Sequence, residues 1–269
     1  MTSTILTLVA AVAAPQLGRD LSPFGRVAHA QGANDATREL EGGTVSWFVI
    51  DPTLLRLDVV TTVIAAATRA GAAVLVQLAL TDDGVERLLE LLQHQSVEVH
   101  FESPVPGSVR TLAYLGRPPV VSLPSKLLHG IAPRLLRLPS RVRTLVAALL
   151  CTAPGECTTK ELIVGCAVSR RTIDRWLSAA TLASLARVER VARVARSWEH
   201  LTHVPMSLGA IADRTGFGAE RTLSAAWQAT CNISPRRAGL TMNAQQVLVR
   251  LVDSIAAIPS GSNGADNRR

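Results

Sequence analysis

Ser207 to Arg237 reads SLGAIADRTGFGAERTLSAAWQATCNISPRR, and its punctuation decides the fold of the C-terminal half. Ser207 stands where a helix N-cap belongs, with Leu208, Ile211 and Ala212 at helical spacing behind it. Thr215-Gly216-Phe217 then breaks the pattern as a tight turn. A second helix follows, with Leu223 and Trp227 turned inward and Glu220, Arg221, Thr222 and Ser224 turned outward. A short helix, a glycine-containing turn and a polar second helix form the unit by which a helix-turn-helix presents side chains to a DNA major groove.

The same design recurs upstream in 158–177, TTKELIVGCAVSRRTIDRWL. Thr158 and Glu161 have capping-box spacing, Ala167 and Val168 make the turn, and Ser169 is placed to cap the next helix. There Ile173, Trp176 and Leu177 form the inward stripe, leaving Arg170, Arg171, Asp174 and Arg175 outward. Between the two units, 183–202 reads as one long helix. Val188, Val191, Ala192, Ala195 and Trp198 line one side of it, and Arg187, Arg190, Arg193 and Arg196 the other.

Two such units in this order and separation, over about 85 residues from 157 to 240, resemble the AraC/XylS-type transcription regulators. The matching positions are Ser207, Leu208, Ile211, Ala212, Gly216, Phe217, Leu223, Trp227, Ser234 and Pro235, together with the run from Val168 to Leu177. Leu223 and Trp227 replace an aromatic pair, and Asn232 replaces a common glycine, a position where asparagine also tolerates the left-handed backbone. Ala225 stands where many members carry a longer polar side chain. The resemblance implies an all-helical double helix-turn-helix domain in a bacterial regulator of transcription. Its two recognition helices would read adjacent major grooves of double-stranded DNA, about 10 bp apart. Carried over residue by residue, the DNA-binding set is Arg170, Arg171, Thr172, Asp174 and Arg175 in the first unit. In the second it is Glu220, Arg221, Thr222 and Ser224. Arginine can donate twice to guanine, and a carboxylate can accept from cytosine; the alternative role for Asp174 and Glu220 is pairing with neighbouring arginines.

Working outward, residues 1–105 alternate apolar runs at 4–10, 26–30, 45–50, 73–79 and 97–101 with helical patterns at 15–22, 34–41, 53–70 and 82–94. That alternation predicts an α/β domain of flavodoxin-like, doubly wound layout. The strand Val45–Ile50 runs straight into Asp51-Pro52, a position similar to the phosphorylated aspartate of response-regulator receiver domains. Asp51 would be the phosphoacceptor, Thr81 the switch hydroxyl, and Ser103-Pro104 would occupy the place of a Lys-Pro. The acidic pair that binds Mg²⁺ in receivers is replaced by Ala13, Ala14 and Pro15. The domain is therefore read as a degenerate receiver, with Asp51 either phosphoacceptor or helix N-cap.

Five prolines between 104 and 124, with Gly107 and Gly116, place a linker at 106–124. The expected DNA-binding domain then spans 125–243. It begins with leading helices at 125–136 and 140–150, whose Arg134, Arg137, Arg141 and Arg143 either touch phosphates or form a solvated face. A helix at 244–258 would cap this domain or dimerise, ahead of a disordered tail at 259–269.

The formal charge of +7 is uneven. Residues 1–115 carry 7 arginines against 12 acids, while 116–269 carry 21 basic residues against 9 acids, as expected of a polyanion-binding half. No glycine-rich phosphate cradle or nucleophile motif follows any strand, so neither an enzyme nor a cofactor is expected. Cys151, Cys157, Cys166 and Cys231 lack C-x-x-C spacing and read as reduced core residues. His200 and His203 read as a helix end rather than a metal site. The apolar run Ile5–Ala14 is too short to span a bilayer and lacks a basic flank, so a cytoplasmic protein without membrane contact is expected. RNA polymerase and a second copy of the chain are further partners consistent with this reading. Two alternatives stand beside it: a phosphorylation-dependent response regulator using Asp51, and a DNA-tethered interaction protein that recruits a partner through 1–105.

Overall fold

The computed structural model describes residues 4–102, 121–152, 158–203 and 205–256, which divide into two compact units, 1–158 and 159–269. Unit one is built on a parallel sheet of β1 (Thr4–Leu8), β2 (Arg26–His29), β3 (Val45–Ile50), β4 (Ala73–Ala79) and β5 (Glu98–Glu102). The strands lie in the order β2-β1-β3-β4-β5, all parallel, the order of doubly wound flavodoxin-like sheets. The helices between them are α1 (Ala14–Leu21), α2 (Ala33–Glu41), α3 (Leu57–Arg69) and α4 (Asp82–Leu92). A parallel sheet covered on both faces needs apolar side chains at successive positions, and Phe48, Val49 and Ile50 are all fully buried. Ile5, Trp47, Val49 and Leu75 pack against Leu17 and Leu21 of α1. Right-handed crossovers in opposite directions, from β1 to β2 and from β2 to β3, place α1 and α2 on opposite faces.

The helix expected over 53–70 begins later. Asp51 and Pro52 start a single 3-10 turn at Pro52–Leu54, and Leu55 and Arg56 are extended before α3 begins at Leu57.

A larger correction concerns α5 (Leu123–Leu135) and α6 (Ser140–Cys151), expected as leading helices of a DNA-binding domain. Both belong to the sheet unit. The buried Glu98 of β5 accepts from the Ser122 amide at 2.6 Å and hydroxyl at 2.8 Å, so a carboxylate sits at the positive end of α5. Ser125 Oγ accepts from the Val99 amide at 3.1 Å, satisfying a donor on β5. Arg143 of α6 makes a forked pair with Glu86 of α4, at 3.3 and 3.0 Å, and Thr144 donates to Asp82 at 2.6 Å. Arg143 is therefore a buried structural cation and offers nothing to a phosphate. Of the expected linker, 106–120 lies outside the described residues, as do Ser103, Pro104, Cys157 and the tail 259–269. With the boundary at 158, the charge split sharpens. Unit one holds 13 basic and 13 acidic residues, and 159–269 holds 15 against 8, the whole surplus of +7.

Unit two is helical among its described residues: α7 (Thr159–Gly165), α8 (Arg170–Ala179), α9 (Leu185–His203), α10 (Leu208–Arg214), α11 (Glu220–Cys231), α12 (Pro235–Thr241) and α13 (Ala244–Ile255). The spine is α9, which touches α8, α10, α11, α12 and α13. Its Val188, Val191, Ala192, Ala195 and Trp198 are buried, as the stripe predicts. Trp198 meets Trp227 of α11 with ring centroids 6.2 Å apart, and Trp227 Nε1 donates to the buried Ser197 hydroxyl at 2.8 Å. A tryptophan can be this deeply buried because its one polar atom has an acceptor. α13 caps the unit, with Val247, Leu251 and Ile255 fully buried against α9 and α11. It is tied at its end by Ala183 N–H donating to the Ile255 carbonyl at 2.7 Å and by a bridge between Leu182 and Ala256.

Candidate nucleic-acid interface

Two turns set the exposed helices of unit two. Between α7 and α8 the chain passes through Ala167 at φ +54°, a left-handed conformation that costs a non-glycine residue about 1 kcal/mol. Ser169 then caps α8, its hydroxyl accepting from the Thr172 amide at 3.2 Å. Ser207 caps α10 in the same way through the Ala210 amide at 3.2 Å. Gly216, at φ +77°, closes α10, and the Phe217 amide returns to the Ala212 carbonyl at 2.8 Å. The turn is held from outside by Arg193 of α9, which donates to the Gly216 carbonyl at 2.9 Å. Asn232 ends α11 at φ +52°, the left-handed position for which its side chain suits it.

The predicted residues divide by what already engages them. Arg170, Arg171 and Arg175 on α8 and Arg221 on α11 are exposed, and among the described residues they make no hydrogen bond or ion pair. Arg170 and Arg171 are the first two residues of α8, and Arg221 is the second of α11. A helix N-terminus is the positive end of the macrodipole and disfavours cations by about 0.3–1 kcal/mol each. No acidic residue occupies the first turn of α8 to relieve this. These cations at a helix start break a local rule with no compensation inside the first turn of α8.

Asp174 is the correction on this face. It is half-buried, and its Oδ1 accepts from the Leu185 amide at 2.7 Å, at the positive end of α9. Asp174 fixes the α8–α9 junction and is withdrawn from the outward set. Thr172 is engaged at the cap of α8, its hydroxyl 2.9 Å from Ser169 Oγ. Glu220 lies 3.8 Å from Arg236 of α12, both exposed, an ion pair worth well under about 1 kcal/mol in water. Ser224 is half-buried, whereas Thr222, Ala225 and Gln228 are exposed beside Arg221. Arg236 and Gln228 on this surface escaped the sequence reading. The only signal for Arg236 was its place directly after Ser234-Pro235.

In unit one the aspartate at the end of β3 is also engaged. Asp51 accepts from the Thr53 amide at 2.9 Å and the Thr53 hydroxyl at 2.6 Å, capping the 3-10 turn. Thr81, expected as a switch hydroxyl, caps α4 by accepting from the Gly84 amide at 3.1 Å. Both side chains have the geometry of helix caps. Among the described residues no group of three His, Cys, Asp or Glu side chains converges as metal ligands would. Cys166 and Cys231 are buried and Cys151 is half-buried, and none of the three is in a disulfide. Burial pushes the Cys231 thiol up to about 11, against the opposing pull of Arg250, which leaves it unreactive. Among the described residues no helix is long and apolar enough to cross a membrane.

Comparison with protein-family models, with curated proteins and with solved structures finds no match for this chain.

Proposed function

We propose that unit two is a double helix-turn-helix of the AraC type that binds double-stranded DNA sequence-specifically, making the chain a cytoplasmic regulator of transcription. The observation that supports this best is the set of unpartnered arginines, Arg170, Arg171 and Arg221, in the first turns of α8 and α11. Each of these helices follows a tight turn, in the unit that holds the entire positive surplus. N-terminal residues of a recognition helix are the ones that reach base edges. With 19 residues α9 is about 28 Å long, close to the ~34 Å that separates successive major grooves on one DNA face. Arg171 and Arg175 are the base-reading candidates of the first head, and Arg221 that of the second. Unit one, with no net charge, serves as the module that receives a signal or a partner.

The test is selection from a randomised duplex pool with the full chain, followed by binding at several salt concentrations. The expected result is a bipartite site whose half-elements are about 10 bp apart, bound with strongly salt-dependent affinity. Recovery of no common sequence would leave only non-specific polyanion binding and overturn the reading.

A further inference from the structure

Four arginines recur along the outer side of α9, and their engagements differ. Arg187 donates to Ser254 Oγ at 3.3 Å, tying α9 to α13. Arg193 donates to the Gly216 carbonyl and pairs with Glu189. Arg190, one turn from each, is exposed and makes no hydrogen bond or ion pair among the described residues. Its nearest acid in sequence, Glu189, is already neutralised by Arg193. Arg190 lines a groove of about 450 Å³ between α9 and α11. Across the groove stand Thr222 and Ala225, both on the exposed surface of α11 next to Arg221, and the ion-paired Glu189 and Arg193 and the Phe217 ring line it as well.

We propose that this groove seats a backbone phosphate of the duplex read by α11, held by the Arg190 guanidinium and the Thr222 hydroxyl. The inference rests on the DNA-binding reading of unit two and adds to it a contact from the connecting helix. The chemistry is that of a phosphodiester: a single negative charge with two free oxygens matches a forked guanidinium, and a threonine hydroxyl supplies a further donor. Small side chains at Ala186, Ala225 and Ala229 leave the space, and the one carboxylate in the lining, Glu189, is paired with Arg193. A long polar side chain at 225 would fill the groove, so Ala225 exchanges a base contact on α11 for a phosphate contact reached from α9. The second head then grips the backbone more than it reads sequence.

The experiment uses the full chain, fluorescence anisotropy and a set of 30-bp duplexes of different sequence, between 50 and 400 mM salt. Losing one phosphate contact lowers the slope of log affinity against log salt by about 0.9, which is about an eightfold loss at 0.1 M. Arg190→Ala is expected to show that loss equally on every duplex. Ala225→Leu, which plugs the groove, is expected to reproduce it, and the double variant to lose no more than either single one. Arg171→Ala is the control for the reading itself. If Arg171→Ala weakens binding and Arg190→Ala retains the parent affinity and slope, the groove proposal is overturned and the DNA reading stands. If the unaltered chain binds no duplex, both fall. If Arg190→Ala changes sequence preference but leaves the slope intact, the phosphate assignment is wrong. Sub-millimolar saturation of the DNA-free chain by inorganic phosphate, lost in Arg190→Ala, would reassign the groove to a free anion.

Discussion

Removing Arg170 and Arg171 together should make the protein more stable and less able to bind DNA, and the size of the gain follows from their positions. They are the first two residues of α8, where the helix dipole opposes each cation by about 0.3–1 kcal/mol at low ionic strength. Arg171 is also four residues before Arg175 on the same face, a like-charge spacing that costs a further ~0.2–0.5 kcal/mol. Asp174, four residues after Arg170 and three after Arg171, returns ~0.2–0.5 kcal/mol and so cancels little more than the Arg175 repulsion, and neither arginine has a hydrogen bond or ion pair to lose. Alanine and arginine differ little in intrinsic helix propensity. The double alanine variant should therefore gain about 1 kcal/mol, or about 4 °C in Tm for a unit of this size. Thermal unfolding followed by circular dichroism at 20 mM salt measures the gain. Repeating it at 500 mM should remove most of the difference, since these charges are exposed and screened. In parallel, affinity for the selected duplex should fall by at least about 50-fold at 0.1 M salt through the loss of two cationic contacts. An unchanged or lowered Tm at low salt would show that the arginines are not held against the local electrostatics. A raised Tm with undiminished DNA affinity would break the link between that cost and the proposed function.

Two further substitutions probe side chains already engaged in the fold. Asp174→Ala removes the acceptor of the Leu185 amide and should lower Tm by about 4–8 °C, in line with the 1–2 kcal/mol of a charge-assisted cap. An unchanged Tm with an altered site preference would instead make Asp174 a base reader. His100, buried on β5, has its pKa lowered from 6.5 to about 4 by desolvation. The unfolded chain therefore takes up a proton that the folded chain refuses between pH 6.5 and 4. Stability from this group is complete above pH 6.5 and lost as pH falls through that window, about 3 kcal/mol in all. Urea titrations from pH 7 to pH 4 should show that slope in the parent and a slope shallower by about one proton in His100→Phe; equal slopes would mean His100 is not buried neutral.

The sheet was the most legible part of the chain because strands buried on both faces are continuous apolar runs. Val45–Ile50 and Ala73–Ala79 were located to the residue, and the other three strands to within two. The turns were legible through their caps: Ser169, Ser207 and Asn232 each do what their side-chain chemistry suggests. Pairings distant in sequence were hidden. Arg143 looks like one of a run of solvated arginines until Glu86, 57 residues earlier, is seen beside it. Asp174 has the right spacing for an outward residue, yet an amide eleven residues later claims it. Which arginine of the α9 stripe stays unengaged depends on the turn after α10 and on α13, and no local pattern encodes that.

The tie between Ala183 and Ile255 bears on how unit two comes apart. It joins the start of α9 to the end of α13, so α9 through α13 lie within one closed circuit of chain. α8 docks on α9 just outside that circuit, its end held by the Asp174 bond to Leu185. Opening the circuit at α13 loosens the same junction that fixes α8, which couples α8 to α11 through the backbone. Fraying of α13 is therefore expected to raise amide exchange in α8 as well as in α11.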